Sequence, residues 1–261
     1  MRSMRARILA AGCAACVLLS LPVVAQRGGG RGSEGPKVTP SGKPVPRTAD
    51  GKPDFTGFFN LQYTPNMSFG KEDTVPYTDA GRAAYANHDA KDDPTSNCWF
   101  PGVPRIMQSP YPTQWVQSPT HLVILFEYMH MFRSIPLDGR PHAQNMEPAF
   151  MGDSVGHWEG DTVVVDTAGL KDGHWTWLDT AGHQHSDQMH VIERFTRTAD
   201  AIQYEYTVDD PKFYAKPWTL QRTFTPLKMT PGLTDLIEYN CSENNRDVQH
   251  LISTKPALPQ K

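Results

Sequence analysis

Between Gly156 and Phe195 the chain concentrates side chains able to move protons or bind metals. Five of its ten histidines lie there (His157, His174, His183, His185 and His190), with three of its six tryptophans. The sharpest local pattern is His183-Gln184-His185-Ser186-Asp187-Gln188-Met189-His190. In an extended chain residues two apart share a face. His183, His185 and Asp187 would then present two imidazoles and a carboxylate together, a donor set for a divalent first-row metal. Acid–base chemistry is the second option. A histidine that titrates near neutrality beside a carboxylate can shuttle a proton. His185, Asp187, His190 and Glu193 form the candidate catalytic set, suited to a lyase or hydrolase. Arg194 and Arg222 are placed to hold an anionic group. Trp175, Trp177 and Trp218 offer flat apolar faces to a ring, and Glu238 completes the candidate ligand-binding set. The bland alternative is that Glu193 and Arg194 make cross-strand ion pairs worth about 0.2–1 kcal/mol each, and that the tryptophans are core.

Other chemistries find less support. The His-x-His pair invites comparison with cupins, but Glu193 falls too far beyond His185 and a second cupin motif is missing. Gly152-Asp153-Ser154-Val155-Gly156 has the spacing of a nucleophile elbow. That motif needs a strand-to-helix turn, whereas a second strand pattern follows here. The chain has neither a Walker motif nor a dinucleotide glycine motif.

The elements that must position these groups read as β-strands. Asp54–Leu61 is a first strand. Thr78 is an N-cap followed by Asp79 and the alanine-rich run Ala80–His88, the one clear helix. Asp93–Pro119 is punctuated by six prolines, which remove backbone donors and favour a wrapping loop; Trp115–Gln117 is a short strand within it. Strand patterns follow at His121–Tyr128, His130–Leu137, Ser154–Trp158, Thr162–Thr167, Met189–Thr198, Ala201–Val208, Trp218–Thr225 and Leu233–Cys241. Glu159-Gly160-Asp161 is a hairpin turn. Short strands in succession with little helix predict an antiparallel meander closed as a barrel, lipocalin-like in outline, with a long proline-rich loop. Side-chain alternation mixes charges with large apolar groups on several strand faces; for any single residue the outward orientation is favoured, but the repeated mixture makes Glu193, Arg222 and Glu238 candidates to point inward.

Arg2, Arg5 and Arg7, the apolar run Ile8–Val24 and the small-residue site Val23-Val24-Ala25 read as a signal peptide spanning 1–25. The run is short for a membrane span. Processing as a lipoprotein at Cys13 is a rival reading with a cramped apolar segment. Residues 26–53 read as a flexible Gly/Pro-rich leader, 54–247 as one β-domain and 248–261 as a loose tail. The implied location is periplasmic or secreted. Without the three arginines of 1–25 the formal charge of −3 becomes −6, poor material for nucleic acid, which needs clustered Lys and Arg. Cys98 and Cys241 are the cysteines left after cleavage. An even pair in an exported protein predicts a disulfide, worth roughly 4–5 kcal/mol by chain entropy for so long a loop.

The chain resembles a family of uncharacterised exported bacterial proteins. The resemblance rests on residues 53–57, Cys98 with Pro101-Gly102-Val103-Pro104-Arg105, and 137–141. It continues through Gly152–Thr167, His185-Ser186-Asp187, Glu193-Arg194-Phe195, Asp210-Pro211, Lys216–Thr219 and Glu243–Asp247. It implies one intact exported domain and transfers no activity. Three functional readings stand: an acid–base or metal-assisted enzyme, a passive small-molecule binder of lipocalin type, and an envelope interaction protein using the proline-rich loop.

Overall fold

A computed structural model describes residues 40–228 and 234–243. The expected signal peptide and C-terminal tail lie outside the described residues, as does most of the leader. Nine antiparallel strands form one sheet. They are β1 (Gly57–Leu61), β2 (Thr113–Gln117), β3 (His121–Phe126), β4 (Phe132–Pro136), β5 (Asp153–Glu159), β6 (Thr162–Ala168), β7 (His190–Arg197), β8 (Ile202–Asp209) and β9 (Trp218–Pro226). The order β4-β3-β2-β1-β9-β8-β7-β6-β5 is a meander in which the first and last strands pair. The sheet therefore nearly closes into a barrel, with its seam between β4 and β5. The expected class is correct.

The elements form where side-chain alternation and turn chemistry agree. Every second residue of β8 is buried (Ile202, Tyr204, Tyr206, Val208), and β3 buries Leu122, Ile124 and Phe126 in the same way. The β5–β6 hairpin pairs Glu159 with Thr162 across Gly160-Asp161, and Gly160 has φ +60°, the left-handed conformation that such a turn favours in glycine. The helix α1 (Asp79–Asn87) begins as expected, with Thr78 Oγ1 accepting from Gly81 N at 3.1 Å.

One predicted strand fails. Residues 234–240 are not in the sheet. β1 occupies the place beside β9 that this segment would have needed. The segment instead packs irregularly, with Ile237 N donating to Glu127 Oε2 and Tyr239 N to His130 Nε2. Cys241 joins Cys98 in the expected disulfide, with a Cα–Cα distance of 5.6 Å. The leader's described end lies along the domain: Arg47 pairs with Asp161 at 2.6 Å and Ser41 N donates to Asp200 Oδ2 at 2.7 Å. No helix among the described residues is long and apolar enough to cross a membrane.

The barrel interior is filled. Trp115 lies edge-on to Phe195 and Phe224, with ring centroids 5.2 and 5.3 Å away, and Phe195, Tyr204 and Tyr206 form a stack at 5.0 Å spacing. The lumen that a lipocalin would offer to a ligand is occupied by these rings. At the seam, Gly156 lets β5 approach β4: a Cβ there would lie 3.0 Å from Ile135 Cγ2 and 3.1 Å from Leu137 Cδ2.

A single buried cation spans that seam. Arg133 of β4 donates through Nε to Ser154 Oγ of β5 (3.0 Å) and through Nη2 to Thr167 Oγ1 of β6 (2.6 Å). It forms a two-pronged ion pair with Glu193 of β7, one contact being Nη1 to Oε1 at 3.0 Å. Tyr204 Oη donates to the same Oε1 at 2.9 Å. Side-chain exposure is 2% for Arg133 and 0% for Glu193, so neither charge has water as a fallback. Glu193→Ala should therefore destabilise the domain by about 3–5 kcal/mol by stranding Arg133. Arg133→Met combined with Glu193→Leu should cost distinctly less, as urea unfolding midpoints would show.

Candidate functional site

The structure scatters the His/Asp/Glu set expected from sequence. His185 is fully buried, its Nδ1 donating to the Ser186 carbonyl (3.1 Å) and its Nε2 hydrogen-bonded to the Thr176 hydroxyl (2.7 Å). Burial pushes its pKa down, against weaker opposing effects of the Ser186 carbonyl and Asp210. Asp187 is exposed. His190 and Glu193 sit three apart on β7, so parity sends His190 to the outer face, where it meets Asp166 at 3.0 Å, and Glu193 to the inside. His183, His185 and Asp187 do not form a metal site, because His183 is committed to two carboxylates and His185 to Thr176 and Ser186. The segment 183–187 is loop, so the spacing-two argument does not apply to it.

Of the ligand-binding candidates, Arg194, Trp218 and Arg222 line one pocket, whereas Trp175, Trp177 and Glu238 lie elsewhere. Arg194 is on the outer face, paired with Glu159 at 2.8 Å. Arg222 points inward, against the outward orientation favoured for any single charge, with its Nη2 donating to the Gln62 carbonyl at 2.7 Å and its guanidinium over Phe69. Glu238 is exposed and off the sheet. Trp175 packs on Trp99 at 4.7 Å with Lys171 over its face. Trp177 is core, donating to the Gly173 carbonyl at 3.0 Å. Trp218 is half-buried beside His183, with ring centroids 5.2 Å apart.

What the loops build instead lies around Asp179. Gly182, at φ +93°, reverses the chain so that His183 returns to Asp179. Asp179 accepts from His183 Nδ1 (2.6 Å), His183 N (3.1 Å) and Met67 N (2.7 Å). His183 Nε2 donates to Glu72 Oε1 at 3.1 Å, and Tyr77 Oη donates to the same oxygen at 2.5 Å. Tyr85 stacks on the imidazole at 4.8 Å. Burial opposes a charge on His183, but the charge and hydrogen bond of Asp179, and then those of Glu72, lift its pKa to about 9. Partial burial pulls Glu72 up, yet the hydrogen bonds from His183 and Tyr77 outweigh it and hold Glu72 at about 2. With its pKa lifted to about 9, His183 favours its charged form at neutral pH and donates to Asp179 on one side and Glu72 on the other, an ionic relay.

On the other side of Asp179 is a cavity of about 300 Å³. The proline-rich loop, the loop after β1 and the disulfide-tethered segment supply its walls. Tyr111 stacks on Tyr128 at 5.0 Å, and Tyr239 closes on both at 5.0 and 5.2 Å. Arg105 forms a two-pronged pair with Asp93 (2.8 and 2.6 Å) and reaches Thr180, whose hydroxyl meets Tyr63 Oη at 2.8 Å. Burial opposes the Arg105 charge, and Asp93 more than restores it. Gln108 also lines the cavity. Its Oε1 accepts from Tyr206 Oη at 2.8 Å, while its Nε2 is buried without a hydrogen-bond partner. A second, more polar pocket of about 870 Å³ lies between the loop after β1 and strands β7–β9, where Phe69, Trp218, Arg194 and Arg222 line it with threonines and further charged side chains.

Sequence reasoning missed the cavity residues. Arg105 stood inside a motif, but Tyr63, Tyr111, Tyr128 and Tyr239 come from four separate segments and leave no local pattern. No family model, curated protein or solved structure matches the chain.

The relay has a pH signature. The pKa of His183 is raised on folding, so its contribution is complete below about pH 6.5 and is lost as pH rises through about 9. Stability should fall by roughly 3 kcal/mol between pH 6.5 and 9.5. The same profile measured on His183→Gln should lose most of that fall.

Proposed function

We propose that this is an exported small-molecule-binding β-barrel protein whose ligand occupies the tyrosine-walled cavity outside the barrel. Gln108 Nε2 carries the reading: a buried amide donor without a partner, on a cavity rich in aromatic faces. A buried donor left unmet costs about 1–3 kcal/mol, and a ligand acceptor would meet it. The volume is at the lower limit for ligand pockets and suits a single ring with small substituents. The charged groups on the cavity, Arg105 and Asp93, already satisfy each other, and Asp179 is held by three donors. The chemistry therefore favours a neutral ligand with an apolar ring face and a carbonyl or hydroxyl oxygen.

Binding is favoured over lyase or hydrolase chemistry because the expected acid–base groups do not converge, and the one buried histidine relay favours its charged form at neutral pH. Export is supported by the basic, apolar and small-residue pattern of 1–25, and a disulfide suits an oxidising compartment.

The test is calorimetry against monosaccharides, phenols and cyclic amides. At least one class should bind with 1:1 stoichiometry. Gln108→Leu, made together with Tyr206→Phe so that no hydroxyl is stranded, should weaken it roughly 2–10-fold. Tyr111→Ala should weaken it further, and Arg194→Ala on the outer face should leave it unchanged. Binding indifferent to both cavity variants, or no binding by any class, would sink the reading.

A further inference from the structure

Side-chain parity brings a second set of groups together on the outside of the barrel. Asp153 on β5, Asp166 on β6 and His190 on β7 all project outward, and the register sets them diagonally across neighbouring strands: Asp166 pairs with Val155 and Ile192, each two residues from Asp153 or His190. His142, from the loop between β4 and β5, lies over them. One nitrogen of His142, one of His190 and one oxygen of Asp166 all lie within 4.8 Å of one another. The two rings meet edge to face, 6.1 Å apart.

We infer that His142, Asp166 and His190 bind a divalent transition metal, with Zn²⁺ the best match. Two imidazoles and one carboxylate are the donor set of open zinc sites. The arrangement around His142 is the more telling feature. Its Nδ1 donates to Asp153 Oδ2 at 2.9 Å, and Asp153 Oδ2 is held in turn by Ala143 N at 3.2 Å. A carboxylate on one ring nitrogen fixes the ring and leaves the other nitrogen to a metal. That other nitrogen, Nε2, is buried and faces Asp166 Oδ2 at 3.3 Å, close but poorly aligned for a hydrogen bond. Asp166 Oδ1 meets His190 Nδ1 at 3.0 Å. The ion would replace these pairings with bonds from all three side chains. The site is separate from the tyrosine-walled cavity and shares no residue with it. It also moves the metal expectation from the loop histidines His183 and His185 to the strand histidine His190.

Titration of ZnCl₂ into untagged, chelator-treated protein, followed by calorimetry, tests the inference. One equivalent should bind per chain. Asp153→Asn, which removes only the support for His142, should weaken binding 10–100-fold, and Asp166→Asn and His190→Ala should weaken it at least as much. His157→Ala, an exposed histidine paired with Glu159, should not change it. The substituted side chains lie on the outer face, and circular dichroism of each variant verifies folding. Absence of a stoichiometric event, or an event that survives Asp166→Asn and His190→Ala, would overturn the site and leave the pairs as surface ion pairs only. The cavity variant Tyr111→Ala should bind Zn²⁺ normally, so the two sites fail or stand independently.

Discussion

The buried pair of Arg133 and Glu193 is the constraint that the barrel is built around. The sheet has one seam where backbone pairing runs out, between β4 and β5, and the guanidinium lies across it, touching side chains of β5, β6 and β7. A planar group with five donors suits such a junction, because it can reach several strands at once in fixed directions. Neighbouring rings supply the dry surroundings, and Tyr204 supplies a further donor to the carboxylate. Desolvating two charges is expensive, and a buried pair of this kind earns its place by specifying geometry more than by adding stability.

With the interior committed to aromatics, the Arg133–Glu193 pair and Arg222, the proposed ligand site lies outside it, among the loops. Two long connections, the proline-rich one before β2 and the tryptophan- and histidine-bearing one between β6 and β7, meet at Asp179. One side of that carboxylate anchors the ionic relay with His183, and the other borders the cavity. The relay is thus best understood as the brace that holds a pocket wall in place, with Met67 N tying the loop after β1 to the same oxygen that His183 grips.

The legibility of the sequence follows from the range of the forces involved. Alternation in β3, β7 and β8, the Glu-Gly-Asp hairpin and the Thr78 cap are local, and they were readable to within a few residues. The inward charge of Glu193 was legible only as the less favoured candidate: parity put it among Val191 and Phe195, but a charge on a strand ordinarily faces water. The strand expected over 233–241 was not readable, because its β-prone residues could not reveal that β1 would take the place beside β9. The candidate catalytic set does not converge, for a related reason. His185, His190 and Glu193 are close in sequence but fall in a loop core, on an outer face and in the interior. The true neighbours of His190 are Asp166 on an adjacent strand and His142 from a distant loop, a grouping that only strand register creates.

The bond between Cys98 and Cys241 has a meaning beyond chain entropy. Its two ends lie in the proline-rich loop and in the off-sheet segment that brings Tyr239 against Tyr111 and Tyr128. None of the nine strands depends on it for a hydrogen bond. Thiol chemistry therefore governs a single wall of the cavity and leaves the barrel alone. Reduction would therefore be felt first where Tyr239 meets Tyr111 and Tyr128, and only indirectly in the strands.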